Sequence, residues 1–121
     1  MRIPLIPTFA ALLLLPAAEA LAHAQLVKAD PQVGSTVVAG PTRIRLKFNE
    51  FIRVPPSAIR LTWPDGHKLV VKALERDPKD KTMVSASLPA PLGPGRYSVE
   101  WRALSGDGHS TQGQFGFTVG K

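Results

Sequence analysis

The sequence predicts an all-β domain, a seven-stranded immunoglobulin-like Greek-key sandwich or barrel. Three observations carry that expectation. Apolar and polar residues alternate with a period of two through most of the chain after residue 23. No window shows the 3.6-residue period of an amphipathic helix. Gly, Pro and Asp clusters break the alternation at short intervals, as turns between antiparallel strands do.

The first segment is not part of that domain. Arg2, the apolar run Phe9 to Leu15 and the small residues from Ala17 to Ala22 have the layout of a secretory signal, with Ala20-Leu21-Ala22 as its A-x-A cleavage motif. The apolar run is too short to span a bilayer, and no second one follows. Cutting after Ala22 divides the 121 residues into a signal, 1–22, and a mature domain, 23–121. The mature chain is expected to be exported and monomeric, without stable membrane insertion. A second motif, Ala22-His23-Ala24, offers an alternative cut that would leave Gln25 first.

Within the mature region the strongest run is Arg43 to Phe48, where Ile44, Leu46 and Phe48 face one way and Arg43, Arg45 and Lys47 the other. Tyr97, Val99 and Trp101 alternate with Ser98, Glu100 and Arg102. Phe115, Phe117 and Val119 alternate with Gly116 and Thr118. Ala24 to Lys28, Ala58 to Trp63, Lys68 to Ala73 and Thr82 to Leu88 complete the seven. Asp30-Pro31, Gly34-Ser35, Gly40-Pro41, Pro55-Pro56, Asp77-Pro78 and the stretch from Pro89 to Pro94 separate them. Asp65-Gly66 reads as a two-residue type I′ hairpin turn. With no cysteine, the domain must be held by its core alone.

The 15 basic and 9 acidic residues give a net charge of +6, and loss of Arg2 and Glu19 with the signal leaves it unchanged. The basic residues are spread along strands, with no Lys/Arg block and no aromatic-interleaved patch, which argues against a nucleic-acid partner. They read as the solvated faces of strands.

Chain direction places the chemistry. If the seven strands alternate in direction, the start of the mature chain, the segment with Asn49 and Glu50, and the last connection, Leu104 to Gln112, share one end. That end then holds His23, Glu50, Asp107 and His109. A second Asp-Gly-His triplet, Asp65-Gly66-His67, falls roughly 20 Å away at the other end, given about 3.3 Å per residue. His67 is expected to be an exposed residue after a turn. Once the signal is removed, His23 carries a free amine beside its imidazole, and the two nitrogens can chelate one metal ion. Asp107 and His109, two apart on an extended segment, lean to the same face. Three nitrogens and a carboxylate oxygen make a tetragonal set suited to Cu(II), although zinc accepts the same atoms. Glu50 is an axial ligand or an acceptor for a histidine N–H.

The residues carry a resemblance. His23-Ala24 with Leu26, Asp30-Pro31 with Gly34-Ser35, Arg45 to Phe48 ending in Asn49-Glu50, Gly95-Arg96-Tyr97 leading to Trp101, and Ser105 through Asp107-Gly108-His109 to Gly113-Gln114-Phe115 together resemble the CopC family of periplasmic copper-resistance proteins. The resemblance implies a small Greek-key β-barrel or sandwich that binds one Cu(II) ion in the periplasm through His23, Asp107 and His109, with Glu50 nearby. It implies a copper carrier or buffer, not an enzyme, whose partner is an inner-membrane copper transporter. Some members add a methionine-rich loop for Cu(I). This mature chain has one methionine, Met83, expected in the core, so a Cu(I) site is not expected. Two other readings stay open: an immunoglobulin-like structural or interaction module without a metal site, and a small copper oxygenase built on the N-terminal histidine chelate.

Overall fold

A computed structural model describes residues 2–4, 24–53, 59–71 and 74–121. The run Phe9 to Leu15, the cleavage motif and His23 lie outside these residues, as do Pro55, Pro56, Ala58, Lys72 and Ala73. Among the described residues there are ten strands: β1 (Leu26–Asp30), β2 (Thr36–Val37), β3 (Arg43–Phe48), β4 (Ile52–Arg53), β5 (Ile59–Thr62), β6 (Lys68–Val71), β7 (Leu74–Arg76), β8 (Met83–Ser87), β9 (Gly95–Ser105) and β10 (Ser110–Val119). None of these residues is helical, and no helix among them is long and apolar enough to cross a membrane.

The strands form two sheets. One has the order β1-β3-β8-β7; the other has the order β2-β10-β9-β5-β6, with β4 also paired to β9. Each predicted run overlaps a strand. The three additional strands, β2, β4 and β7, are two or three residues long, too short for alternation to register. They do not disturb the alternation of direction. β4 runs the same way as β5, both antiparallel to β9, and β7 runs the same way as β3, both antiparallel to β8. β2 lies parallel to β10.

Alternation decides the core. Ile44, Leu46 and Phe48 of β3 meet Tyr97, Val99, Phe115, Phe117 and Val119 from the opposite sheet, and Ile59, Leu61, Val71, Val84 and Ala86 fill the remainder. Each large apolar side chain buried in this way contributes about 1.5–3 kcal/mol relative to exposure. Trp101, predicted on the inward face, is only partly buried and stands edge-on to Phe48 with ring centroids 5.2 Å apart. Its ring lies over Gly113, where an added Cβ would come within 2.5 Å of it.

One core assignment is corrected. Met83 is in a strand as expected, but it alternates outward: Val84 and Ala86 are the buried residues of β8, and half-buried Met83 pairs with Lys47 and shares a surface groove with Lys28. The period of two across β8 fits either face until the pairing with β3 is known. The basic residues Arg43 and Arg45 are exposed, as expected. Lys47 turns instead to Asp80, its Nζ donating to Oδ2 at 2.6 Å. That contact, with the Thr82 hydroxyl and N–H, holds the Asp80 carboxyl down at about 2.

Strand β9 sets the long axis. It pairs with β10 along ten residues, from Gly95↔Val119 to Leu104↔Ser110. Ten steps at about 3.3 Å make it roughly 33 Å long. Its two ends carry the two Asp-Gly-His turns.

Candidate metal centre

Residues 105–109 join β9 to β10 by a tight turn, so the predicted long connection from Leu104 to Gln112 is mostly strand. The backbone closes through Ser105 N to His109 O (2.8 Å) and Gly108 N to Ser105 O (3.0 Å). Gly108 sits at φ +94°, a conformation that costs a residue with a Cβ about 1–2 kcal/mol. The proximity of Asp107 and His109 therefore comes from a turn, not from an extended segment. The carboxylate folds back to accept the His109 backbone N–H at Oδ1 (3.1 Å), and its Oδ2 lies 2.9 Å from the ring Nδ1.

Beneath this turn is Ser105, 1% exposed and the only polar residue buried to that degree among those described. Its hydroxyl donates to Asp107 Oδ1 and lies 3.0 Å from the His109 carbonyl. The Ser105 hydroxyl is the main reason that the Asp107 carboxyl is held well below the usual carboxylate range; the backbone and ring of His109 add to it. Asp107 is consequently an oxygen anion at any pH near neutral. Both side chains remain open to solvent, 63% exposed for His109 and 52% for Asp107, so an ion can reach them.

The described segment that begins at Ala24 starts at the same end. Ala24 is 1% exposed, and its carbonyl accepts a hydrogen bond from Thr111 Oγ1 at 2.7 Å, across 87 residues of sequence. Gln25 and Asn49 are tied twice: Gln25 N–H to Asn49 Oδ1 (2.9 Å) and Asn49 N–H to Gln25 O (3.0 Å). Ile52 pairs with Ser105, which brings residues 49–51 alongside the turn. Phe51 lies 3.8 Å from where a Cβ on Gly106 would sit, and the Arg76 guanidinium stacks over its ring at 4.4 Å. Glu50 is half-buried here. Among the described residues no three His, Asp or Glu side chains converge as a metal cluster. The structure thus joins Asp107 to His109 and brings Ala24 to their end; His23 lies outside the described residues.

The other triplet sits at the far end of β9. Asp65-Gly66-His67 joins β5 to β6, and Pro64 packs where a Cβ on Gly95 would fall, 2.4 Å from Pro64 Cγ. The turn is not the type I′ hairpin expected from Asp65-Gly66, since among the described residues only glycines have positive φ and Asp65 therefore does not. Gly66 N–H bonds Trp63 O (2.9 Å), Trp63 N–H bonds His67 O (2.9 Å), and Gly66 alone is at φ +93°. This is a type I turn followed by a glycine bulge, which Pro64 favours by fixing φ at the first central position. His67 is exposed, as expected, and also stacks on Trp63 with ring centroids 4.4 Å apart. Ser105 and Thr111 shape this end of the molecule, and the sequence alone marks neither as part of a site. Neither carries a local signal, since each matters through a contact made by folding.

The molecule is a two-sheet β-sandwich with a solvent-open Asp–His turn at the end where its N-terminal strand begins. The match to the CopC domain spans residues 26–120, and the chain belongs to that family. It is 33% identical to protein YobA of Escherichia coli (strain K12) over 98 residues, 81% of this chain and 79% of that one. It is 35% identical to copper resistance protein C of Pseudomonas syringae pv. tomato over 126 residues, covering 98% and 96% of the two chains. The crystal structure of PcoC, a methionine-rich copper resistance protein from Escherichia coli, superposes with a TM-score of 0.68 at 34% identity, over 80% of this chain and 98% of that one.

Proposed function

We propose that the mature protein is a periplasmic Cu(II) carrier or buffer that holds one ion between its N-terminal histidine and the turn at residues 105–109. His23 supplies the α-amine and imidazole nitrogens, His109 a third nitrogen and Asp107 an anionic oxygen, a set suited to tetragonal Cu(II). Glu50, at the same end, is an axial or outer acceptor. Membership of a family whose relatives are named for copper resistance supports the choice of metal. The observation that carries the reading is the bond from Thr111 to Ala24, which tethers the chain one residue after His23 to a strand position two residues after His109.

The role is binding and delivery, with an inner-membrane copper transporter as the partner, and not catalysis. One soft thioether, Met83, lies among lysines on an outer sheet face, which gives Cu(I) no multidentate site. The test is the intact mass of the exported protein together with its Cu(II) stoichiometry. A chain beginning at His23 that binds one Cu(II), and loses most of its affinity when one residue is added before His23, supports the reading. An exported chain that begins at Gln25 overturns it.

A further inference from the structure

The bonds around Ala24 and Gln25 do more than finish an edge strand. Chain starts fray unless something ties them down, and here the β1–β3 ladder is irregular near the start: its register shifts between Lys28 and Leu26, which pairs with Phe48. Beyond Leu26 one backbone bond, from Asn49 N–H to Gln25 O at 3.0 Å, and two side chains hold the backbone. Thr111 Oγ1 takes the Ala24 carbonyl at 2.7 Å and Asn49 Oδ1 takes the Gln25 N–H at 2.9 Å. Thr111 is itself fixed by its pairing with fully buried Ala103 in the long β9–β10 ladder. The same ladder carries the turn with Asp107 and His109, so one rigid frame holds both the late donors and the anchor of the early residues.

We propose that Thr111 is a positioning residue for the metal centre, assisted by Asn49. It touches no metal and sets affinity by holding the start of the mature chain against the turn. The inference rests on the Cu(II) reading above. A terminal chelate on a free-swinging chain binds only from the fraction of conformers that face the other donors, and its apparent affinity falls by that fraction. Pinning Ala24 removes most of those alternatives before the ion arrives.

The experiment uses the mature chain starting at His23, Cu(II) alone as the probe, and four proteins: wild type, Thr111→Val, Thr111→Ser and His109→Ala. Thr111→Val is nearly isosteric and removes only the donor. It is expected to weaken Cu(II) binding about 3- to 10-fold, the scale of one net hydrogen bond, and to speed hydrogen exchange at the Gln25 amide in the metal-free protein. Thr111→Ser should restore both. Should Thr111→Val fail to fold, Asn49→Ala takes its place with the same two readouts expected. Wild-type affinity and wild-type Gln25 exchange in the variant, beside lost binding in His109→Ala, overturn the positioning role and leave the Cu(II) reading intact. Equal affinity in wild type and His109→Ala overturns both.

Discussion

The turns at residues 63–67 and 105–109 share a triplet, a backbone path and a hydrogen-bonding pattern, and differ in what lies beneath them. In both, an aspartate accepts the N–H of the histidine two residues on, at 3.0 Å and 3.1 Å, and a glycine between them sits near φ +93°. In both, the histidine Nδ1 approaches the same carboxylate. Under Asp65, however, position 63 is Trp63, whose indole stacks on the His67 ring. Under Asp107, position 105 is a buried serine whose hydroxyl is aimed at the carboxylate. The Asp65 carboxyl is lowered chiefly by the His67 backbone N–H, that of Asp107 chiefly by Ser105. A triplet by itself makes a turn; the residue below it and the strand beside it decide whether its donors face anything else.

The sharpest way to break this comparison is to remove each histidine. If His109 is a ligand as proposed, His109→Ala is expected to weaken Cu(II) binding by more than about 100-fold, since one nitrogen donor is lost outright, whereas His67→Ala should bind as the wild type does. Competition titration reads both, and equal losses would end the distinction between the turns.

The pH profile comes next. Because Asp107 is held below its ordinary value of 3.8, it is already ionised throughout the pH range of a copper titration. The proton competition therefore comes from nitrogen, with reference values of about 7.7–8.0 for an α-amine and about 6.5 for imidazole. Affinity should fall as pH drops from about 8 to 6. A flat profile across that window would remove the amine from the site.

The glycines test the shared part. Gly66→Ala and Gly108→Ala should each cost about 1–2 kcal/mol, because each places a Cβ at positive φ, and thermal unfolding should show similar losses for the two. Only Gly108→Ala should also weaken Cu(II) binding. Unequal stability losses would mean that the two backbones are less alike than their hydrogen bonds indicate.

The smallest effect is the most local. Ser105→Ala should let the Asp107 carboxyl rise back toward 3.8, while Trp63→Ala should leave Asp65 where it is; carboxyl-detected NMR titration follows both. The sign for stability follows from the shift. A depressed carboxylate stabilises the fold above its ordinary value and loses that contribution as pH falls through the carboxylate range. Acid unfolding of Ser105→Ala should therefore be less pH-dependent than that of the wild type.

Much of this was legible from residue order. Ile44, Leu46 and Phe48 declared their inward face, and the direction count placed Asp107 and the early chain at one end because β2, β4 and β7 leave that count intact. The far turn was legible as a turn but not as its type: Pro64 before Asp65-Gly66 makes it a type I turn with a bulge. Its separation from the other was underestimated, because β9 runs to 11 residues while its visible alternation stops at Arg102. Met83 went to the wrong face, since alternation fixes which residues go together and not which set is buried.

The sequence by itself determined the all-β class, seven of the ten described strands, the inward residues of the strongest runs and the end at which Asp107, His109 and the early chain meet. Those properties depend on periods and parities, which are local or countable. Only the tertiary structure decided that Ser105 lies under Asp107, that Thr111 grips Ala24 and that Lys47 turns to Asp80. Each joins groups through burial or pairing register, and a one-dimensional pattern holds no record of which hydroxyl meets which acceptor across the folded sheets.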